Sequence, residues 1–350
     1  MEIEDLRKEI EEIDREIIKY LAKRLDIVKK IGRLKIEEGK SASDDERELY
    51  VKNYWRELST IYGVPVEMAK ELIEIIIKYS KYIQLKNSQN SDSRTITFIG
   101  YGRMGKLLAL YSIRAGHRVI ITGRDPEKAY SVAREVGGLV LDIGEAIERG
   151  EFIVLALSLE AFRDGYIDRI SRLFKEKIVM DILSSKTPVF SHMEELSMRY
   201  GFIYISTHPL FGPQTTPIGE KIAVIPSKTG VSYVDDVCKL WRSIGLDPIV
   251  IDVETHEKAM AVVQVLTHLY LLAFQQSLEE LSRELGVDPY ILSTPTFRDL
   301  MNVIRRLNNI KDVVLEIQKS NLFSEMVRSR ALSIFMEIVH KLGDKHALHS

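Results

Sequence analysis

Residues 95–114, TITFIGYGRMGKLLALYSIR, decide the fold class. A short β-rich run ends at Ile99, Gly100-Tyr101-Gly102-Arg103-Met104-Gly105 completes G-x-G-x-x-G, and Lys106 to Arg114 carries helical periodicity. Among 20 glycines such a spacing can arise by chance, so the weight lies in the context. A strand in front and a helix behind make this the first turn of a dinucleotide-binding βαβ unit. Its glycines permit a tight turn and close approach of a pyrophosphate to the helix N-terminus. Gly100, Gly102, Arg103, Met104 and Gly105 are therefore the expected cofactor-binding loop.

The end of the second strand speaks to which cofactor. An NAD-binding unit usually places Asp or Glu there to hold the ribose 2′-hydroxyl. Here the run ends Thr122-Gly123-Arg124-Asp125, with Gly123 in the acid's place and Arg124 beside it. A guanidinium suits a 2′-phosphate, so NADP is favoured, while Asp125 within reach of a ribose keeps NAD open. The plainer reading makes Arg124 a solvated turn residue.

Outward from this unit, TITFIG, HRVIIT, GLVLD, EFIVLAL, KIVMDI, FIYIST, KIAVIP and DPIVID alternate with helical stretches as far as Asp252. That is the pattern of a doubly covered α/β sheet. Upstream, KNSQNSDSR has no apolar residue and reads as a linker. The expected organisation is multidomain: an all-α module over 1–85, a linker over 86–94, an α/β Rossmann domain over 95–252, and an all-α substrate-binding and dimerisation domain over 253–350. Such a linker predicts that the N-terminal module and the remainder fold separately.

Within residues 1–85, Ile3, Ile10, Ile17 and Ile31 occupy a positions of a heptad, and Leu6, Ile13, Tyr20, Ile27 and Leu34 occupy d. A helix of this length needs a partner along it, so an intertwined homodimer is expected. Arg24 interrupts the seam at an a position, either as a register-setting polar residue or as a ligand group. Ser43 and Glu46 suggest a capping box opening a second helix, on which Arg47 and Glu48 share a stripe with Val51, Trp55 and Leu58. On a third helix Ser80 and Gln84 continue the apolar face of Ile73 and Ile77. Polar groups on core-facing stripes are costly without partners, which points to a polar ligand. Arg7, Arg24, Lys35 and Arg47 suit a small dianion.

These residues resemble the all-helical chorismate mutase family: Arg7, Arg24 and Lys35, then Asp44-x-x-Arg47-Glu48, then Ser80-x-x-x-Gln84. The resemblance implies that Arg24, Arg47 and a partner-subunit Arg7 grip the carboxylates of chorismate. It further implies that Lys35 and Gln84 bond the ether oxygen while Asp44 and Glu48 orient the hydroxyl and nearby cations. A [3,3] rearrangement needs no general acid or base, only a compact conformer and positive charge at the breaking C–O bond.

Two further segments follow strands: Asp181-Ile-Leu-Ser184-Ser-Lys186 and His208-Pro-Leu-Phe-Gly-Pro213. Ligands in such sheets bind outside the carboxyl ends of the strands. These segments, with His256-Glu-Lys-Ala-Met260 and Ser293-Thr-Pro-Thr-Phe-Arg298, resemble prephenate dehydrogenases, Leu210 replacing a Met of the family pattern. The resemblance implies oxidative decarboxylation of prephenate with NADP or NAD. His208 would take the ring hydroxyl proton, Ser184 would orient His208 and that hydroxyl, and Lys186 would lie near substrate or cofactor. Arg298 belongs to the matched stretch, and Arg305 or Arg306 is implied as a carboxylate ligand, the alignment leaving a one-residue ambiguity.

Together the two resemblances imply a bifunctional enzyme of tyrosine biosynthesis whose first product is its second substrate. The alternative is an arogenate dehydrogenase or another NADP-dependent dehydrogenase with a helical regulatory module. Composition narrows the rest. Hydrophobic residues are 45% and charged residues 29%, and Lys+Arg 49 against Asp+Glu 51 leaves a net charge of -2. That balance argues against a nucleic-acid partner. Cys238 stands alone, so no disulfide framework or cysteine-based metal site is expected. No apolar run is expected to reach the ~18 residues of a membrane span, and MEIEDLRKEIEE does not read as a targeting peptide. A cytoplasmic protein is expected.

Overall fold

The computed structural model describes residues 3–38, 44–87 and 93–343. Three helices open it: α1 (Ile3–Glu37), α2 (Asp45–Tyr62) and α3 (Val66–Asn87). At 1.5 Å per residue α1 is about 50 Å long. Of its apolar side chains whose burial is described only Val28 is buried, and Val28 and Gly32 face α3. The heptad seam is bare, from Ile31 at 41% exposed to Ile3 at 70%. On α3, Ala69, Ile73, Ile77 and Ser80 form the buried stripe, as the periodicity predicts. The cap of α2 differs from the expected box. Asp44 is the N-cap, its carboxylate accepting from Arg47 N at 3.0 Å, and Ser43 lies outside the described residues.

The eight β-rich runs become one sheet. Its strands are β1 (Thr95–Ile99), β2 (Arg118–Thr122), β3 (Leu139–Val140), β4 (Phe152–Leu155), β5 (Ile178–Asp181), β6 (Ile203–Pro209), β7 (Lys221–Pro226) and β8 (Asp247–Val250). Their order is β3-β2-β1-β4-β5-β6-β7-β8. All neighbours are parallel except β6 and β7, which pair antiparallel. The connection from β6 to β7 contains no helix, and a parallel return needs a crossover.

Side chains alternate through the sheet. Ile96 and Phe98 of β1 enter one core with Val154, Leu108 and Trp241, while Ile99 enters the other with Ile153, Leu155 and Phe174. A sheet apolar on both faces must be covered by helices on both faces, which explains the near-continuous apolar runs. The helix α4 (Arg103–Arg114) follows β1 directly.

The N-terminal module is not independent of the sheet. Tyr82 of α3 packs against the first of these cores, and Lys78 Nζ pairs with Glu220 Oε1 at 3.2 Å. The two expected parts are therefore in contact across this boundary. The other face of α3 carries Ser80 and Gln84.

After β8 the chain is helical over Val253–Met260, π-helical over Ala261–Leu266 and helical again over Thr267–Leu285. Helices Pro295–Asn308, Lys311–Ser320 and Ser324–Gly343 complete it. Ala261, Val265, Ile317 and Val327 form a small core here. Thr267–Leu285 buries none of its residues, and Leu332, Phe335 and Met336 of the last helix are exposed. By length and composition Val253–Leu285 is apolar enough to cross a membrane, which corrects the expectation that no run reaches that length.

Candidate active sites

In the helical module, Arg24 Nη1 donates to Ser80 Oγ at 2.6 Å, and Ser80 Oγ donates to Ile76 O at 2.6 Å. Burial lowers the Arg24 pKa. Glu48 pairs with Lys81 at 2.6 Å. Gly32 lets α1 approach Gln84, whose Cα would stand 3.1 Å from a Cβ there, and Gln84 Oε1 is buried without a hydrogen-bond partner. Lys35 is half-buried on the same side of α1. Arg24 of α1 thus meets Ser80 of α3, Glu48 of α2 reaches Lys81 of α3, and Gln84 of α3 lies against Gly32 of α1.

Three expected members stand elsewhere. Arg47 is exposed and lies over the Tyr50 ring, 4.7 Å from its centroid, because Glu48, Val51 and Trp55 take the inward stripe of α2. Asp44 is occupied as the α2 cap. Arg7 pairs with Glu4 on the exposed start of α1, about 25 Å along the helix from Arg24. Within one chain Arg7 and Arg24 cannot share a ligand. Arg24 also lines an open groove of about 720 Å³ with Ile13, Ile17, Tyr20, Leu21 and Trp55.

In the α/β half, a cavity of about 530 Å³ opens at the carboxyl ends of β1, β4 and β5. Its walls are Gly102 to Gly105, Ala156 to Ser158, Ile182 to Ser184, His208 to Pro213, and Val263, Gln264, His268 and Ile317 from the C-terminal helices. The glycine loop fits a dinucleotide. A Cβ on Gly100 would stand 2.3 Å from Ala156 O, and one on Gly105 2.5 Å from Ala156 Cβ, so both are obliged to be glycine. Gly102 has only Ala156 O at 3.9 Å and caps α4 with no side-chain bond, leaving its amides to face a pyrophosphate. Arg103 Nη2 bonds Asn309 O and ties this loop to the C-terminal helices.

Gly123 lies beneath Tyr101, whose ring would be 2.7 Å from a Cβ there. The tyrosine therefore takes the space an acid would need. Arg124 Nη1 pairs with Asp164 Oδ2 at 2.7 Å and stacks over Tyr166. It is a half-exposed turn residue with a carboxylate partner.

The expected D-x-x-S-x-K residues divide. Asp181 accepts from Tyr204 Oη, Ser206 Oγ, Leu183 N and Lys186 Nζ. Lys186 is 1% exposed, and its Nζ also donates to Thr207 O at 2.7 Å. Lys186 is a buried strut joining β5 to β6 and stands behind the cavity wall, close enough to act on the charge of His208. Burial lowers its pKa, against the pull of Asp181. Ser184 alone of the three lines the cavity.

His208 lines the cavity too, but its partner is not Ser184. His208 Nδ1 lies 3.0 Å from His256 Nε2, both rings being buried. Burial, then Lys186 and His256, hold the His208 pKa well below the usual 6.5. Its ring is neutral at neutral pH.

The implied carboxylate ligands are not on this wall. Helix Pro295–Asn308 buries Ile304 and Leu307, which turns Arg305 and Arg306 outward to an open groove with Gln214 and Asn309. Arg298 bonds Ser293 O within its own turn. Conversely, Gln264 and His268 were missed. Both line the cavity with a buried, unbonded atom, Gln264 Oε1 and His268 Nδ1. The four-residue spacing of His256, Met260, Gln264 and His268 was the available signal.

The fold is that of a dinucleotide-binding oxidoreductase domain joined behind an all-helical module. A family model described as chorismate mutase type II matches residues 6–85, and one described as NADP oxidoreductase, coenzyme F420-dependent, matches 95–185. The chorismate mutase of Methanocaldococcus jannaschii is 30% identical over 93 residues, 26% of this chain and 94% of that protein. Through this N-terminal module the chain belongs to the type II chorismate mutase family. A second protein of that organism, "Probable arogenate/prephenate dehydrogenase", is 31% identical over 194 residues, 54% of this chain and 43% of its own length. The chain spans about half the length of the curated relatives that its α/β part matches. In fold it is similar to prephenate dehydrogenase from Aquifex aeolicus, solved with hydroxyphenyl propionate and NAD+, at a TM-score of 0.58, 20% identity, 74% of this chain and 95% of that one.

Proposed function

We propose that this chain rearranges chorismate to prephenate in its helical module and oxidatively decarboxylates prephenate to 4-hydroxyphenylpyruvate in its α/β and C-terminal parts. The observation that carries the reading is one chain holding a type II mutase module and a dinucleotide cavity walled by a neutral, buried histidine. The domain limits follow the same reading: 1–85, 86–94, 95–252 and 253–350.

In the mutase site Arg24 and Gln84 supply a cation and an amide to the substrate. Gln84 Oε1, buried and unbonded, accepts from the substrate hydroxyl, and the amide nitrogen is the group able to donate to the ether oxygen. Arg24 holds a carboxylate, and Lys35 with Gln84 steadies the negative charge growing on the ether oxygen. A second copy supplies Arg7, and the bare seam of α1 is the surface that receives that copy. The exposed apolar face of Ser324–Gly343 suits the same homodimer, which makes a cytoplasmic protein the fitting reading of the apolar Val253–Leu285 helix.

In the second site the nicotinamide cofactor accepts a hydride when bound. His208 holds the ring hydroxyl and removes its proton, while Ser184, Gln264 and His268 orient the ring. Loss of carbon dioxide then makes the ring aromatic and the step irreversible. Arg124 favours NADP. The test is a coupled assay on purified protein with chorismate plus NADP or NAD, following substrate loss and reduced cofactor. Reduced cofactor with arogenate but not with prephenate would move the reading to an arogenate dehydrogenase. No reduced cofactor with either would overturn it.

A further inference from the structure

The partner of His208 lies 48 positions further along the chain, and behind that partner stands a carboxylate. His256 Nδ1 is 3.4 Å from Glu257 Oε1, close enough for charge attraction though not aligned as a hydrogen bond. Glu257 is itself locked, Oε1 accepting from Lys186 N at 2.9 Å and Oε2 from Thr187 Oγ1 at 2.6 Å. Its backbone carbonyl takes Asn321 Nδ2 at 2.9 Å. Glu257, His256 and His208 form a line from the protein interior to the cavity wall. All three are at most 2% exposed.

We infer that Glu257 and His256 are positioning residues that hold His208 in one tautomer, with its proton on Nδ1 and its lone pair on Nε2 facing the substrate. The inference rests on the proposed dehydrogenase and deepens it. The carboxylate is an acceptor, so the His256 nitrogen beside it carries the proton; a lone pair there would face another lone pair. In neutral His256 the proton on Nδ1 leaves Nε2 as an acceptor. That acceptor can only be met by a proton on His208 Nδ1. The remaining His208 nitrogen, Nε2, is then the base. The charged groups packed around the line are Lys186 and Asp181 from the β5 turn and Glu257 itself. Burial keeps His256 neutral as well, its pKa lying below the usual value.

The geometry makes a wrong tautomer costly in a particular way. With the proton on Nε2, His208 could still donate a hydrogen bond to the substrate hydroxyl, but it could not remove that proton. Binding survives and turnover does not. The signature is therefore a loss confined to kcat.

The experiment uses the full chain labelled with nitrogen-15 in histidine, and two-bond nitrogen–proton correlation spectra assigned by the loss of signals in His208→Asn. The expected spectrum of His208 has a protonated Nδ1 and an unprotonated Nε2. In His256→Phe, which keeps the ring volume and removes the acceptor, kcat for reduced-cofactor formation falls about 10–100-fold, with the KM for prephenate within about threefold. His256→Gln, whose amide oxygen can accept from His208 Nδ1, recovers most of the loss. Glu257→Gln gives a mixture of His208 tautomers. An Nε2-protonated His208 in the wild type, or an unchanged kcat in folded His256→Phe, overturns the inference. If His256→Phe does not fold, the wild-type and His256→Gln spectra decide. Failure of the wild type to oxidise prephenate overturns the proposed activity and leaves the spectrum as a separate test of the tautomer.

Discussion

Tyr82 and Gly245 touch across the boundary between the helical module and the α/β domain: a Cβ on Gly245 would stand 2.7 Å from Tyr82 Cδ2. Gly245 has φ +97, so it is held to glycine by its backbone as well as by the ring. The mutase-type helix α3 thereby serves both parts, carrying Ser80 and Gln84 on one face and Tyr82 and Lys78 on the other.

Gly245→Ala is expected to destabilise the chain by about 1–3 kcal/mol, read by urea unfolding. Tyr82→Ala combined with it should recover the steric part but not the backbone part, leaving a measurable coupling between the two. Strict additivity would mean that the ring and the glycine do not press on each other.

Arg24→Ala should lower mutase turnover by about 10²–10³-fold, the scale of one lost charge-stabilising donor. Ser80 keeps its bond to Ile76 O, and desolvation of the guanidinium is relieved, so the module should stay folded. Circular dichroism and a chorismate assay on the same sample separate the two. Near-normal turnover in the folded variant would return Arg24 to a register-setting role.

Arg124 is already engaged by Asp164, so a 2′-phosphate must compete for it. Asp164→Asn is expected to tighten NADP about threefold to tenfold with little effect on NAD. Arg124→Ala should weaken NADP about tenfold or more, the scale of one hydrogen bond to a charged group. Fluorescence titration with each reduced cofactor checks both, and equal responses of the two cofactors would exclude Arg124 as the discriminator.

His208 must be neutral to act as a base, and its pKa lies well below 6.5. Dehydrogenase turnover should therefore be level across neutral pH and fall only on the acid side of 6.5. The stability effect has a definite sign. Because the unfolded histidine binds a proton more readily, folding stability contributed by neutral His208 is present above about 6.5 and lost as pH falls below it. His208→Asn should reduce turnover about 10²–10⁴-fold and leave the mutase untouched. A rate that climbs through pH 7 to 8 would mean that another group takes the proton.

Much of this architecture was readable along the chain. Short, near-continuous apolar runs announced all eight strands, because a strand covered on both faces leaves few polar positions to blur the signal. The glycine loop was readable because Gly100 and Gly105 are required by contacts with Ala156 that any such turn makes. Arg24, Ser80 and Gln84 stood out because helical spacing alone places them on inward stripes.

What the sequence by itself determined, then, is whatever depends on the local repeat of helix and strand: the element order, the loop that receives a dinucleotide, and the polar positions within apolar stripes. The tertiary structure alone decided which of those polar groups meet. It turned Lys186 inward to Asp181 and Thr207, and Arg305 and Arg306 outward because Ile304 and Leu307 claim the core. It paired His208 with His256 and joined Tyr82 to Gly245. The π-helical turn at Ala261–Leu266 changes the register in which Gln264 and His268 reach the cavity. Periodicity says which face a residue occupies, but a hydrogen bond depends on what another segment brings to within 3 Å of it. That distance is set by packing between distant parts of the chain.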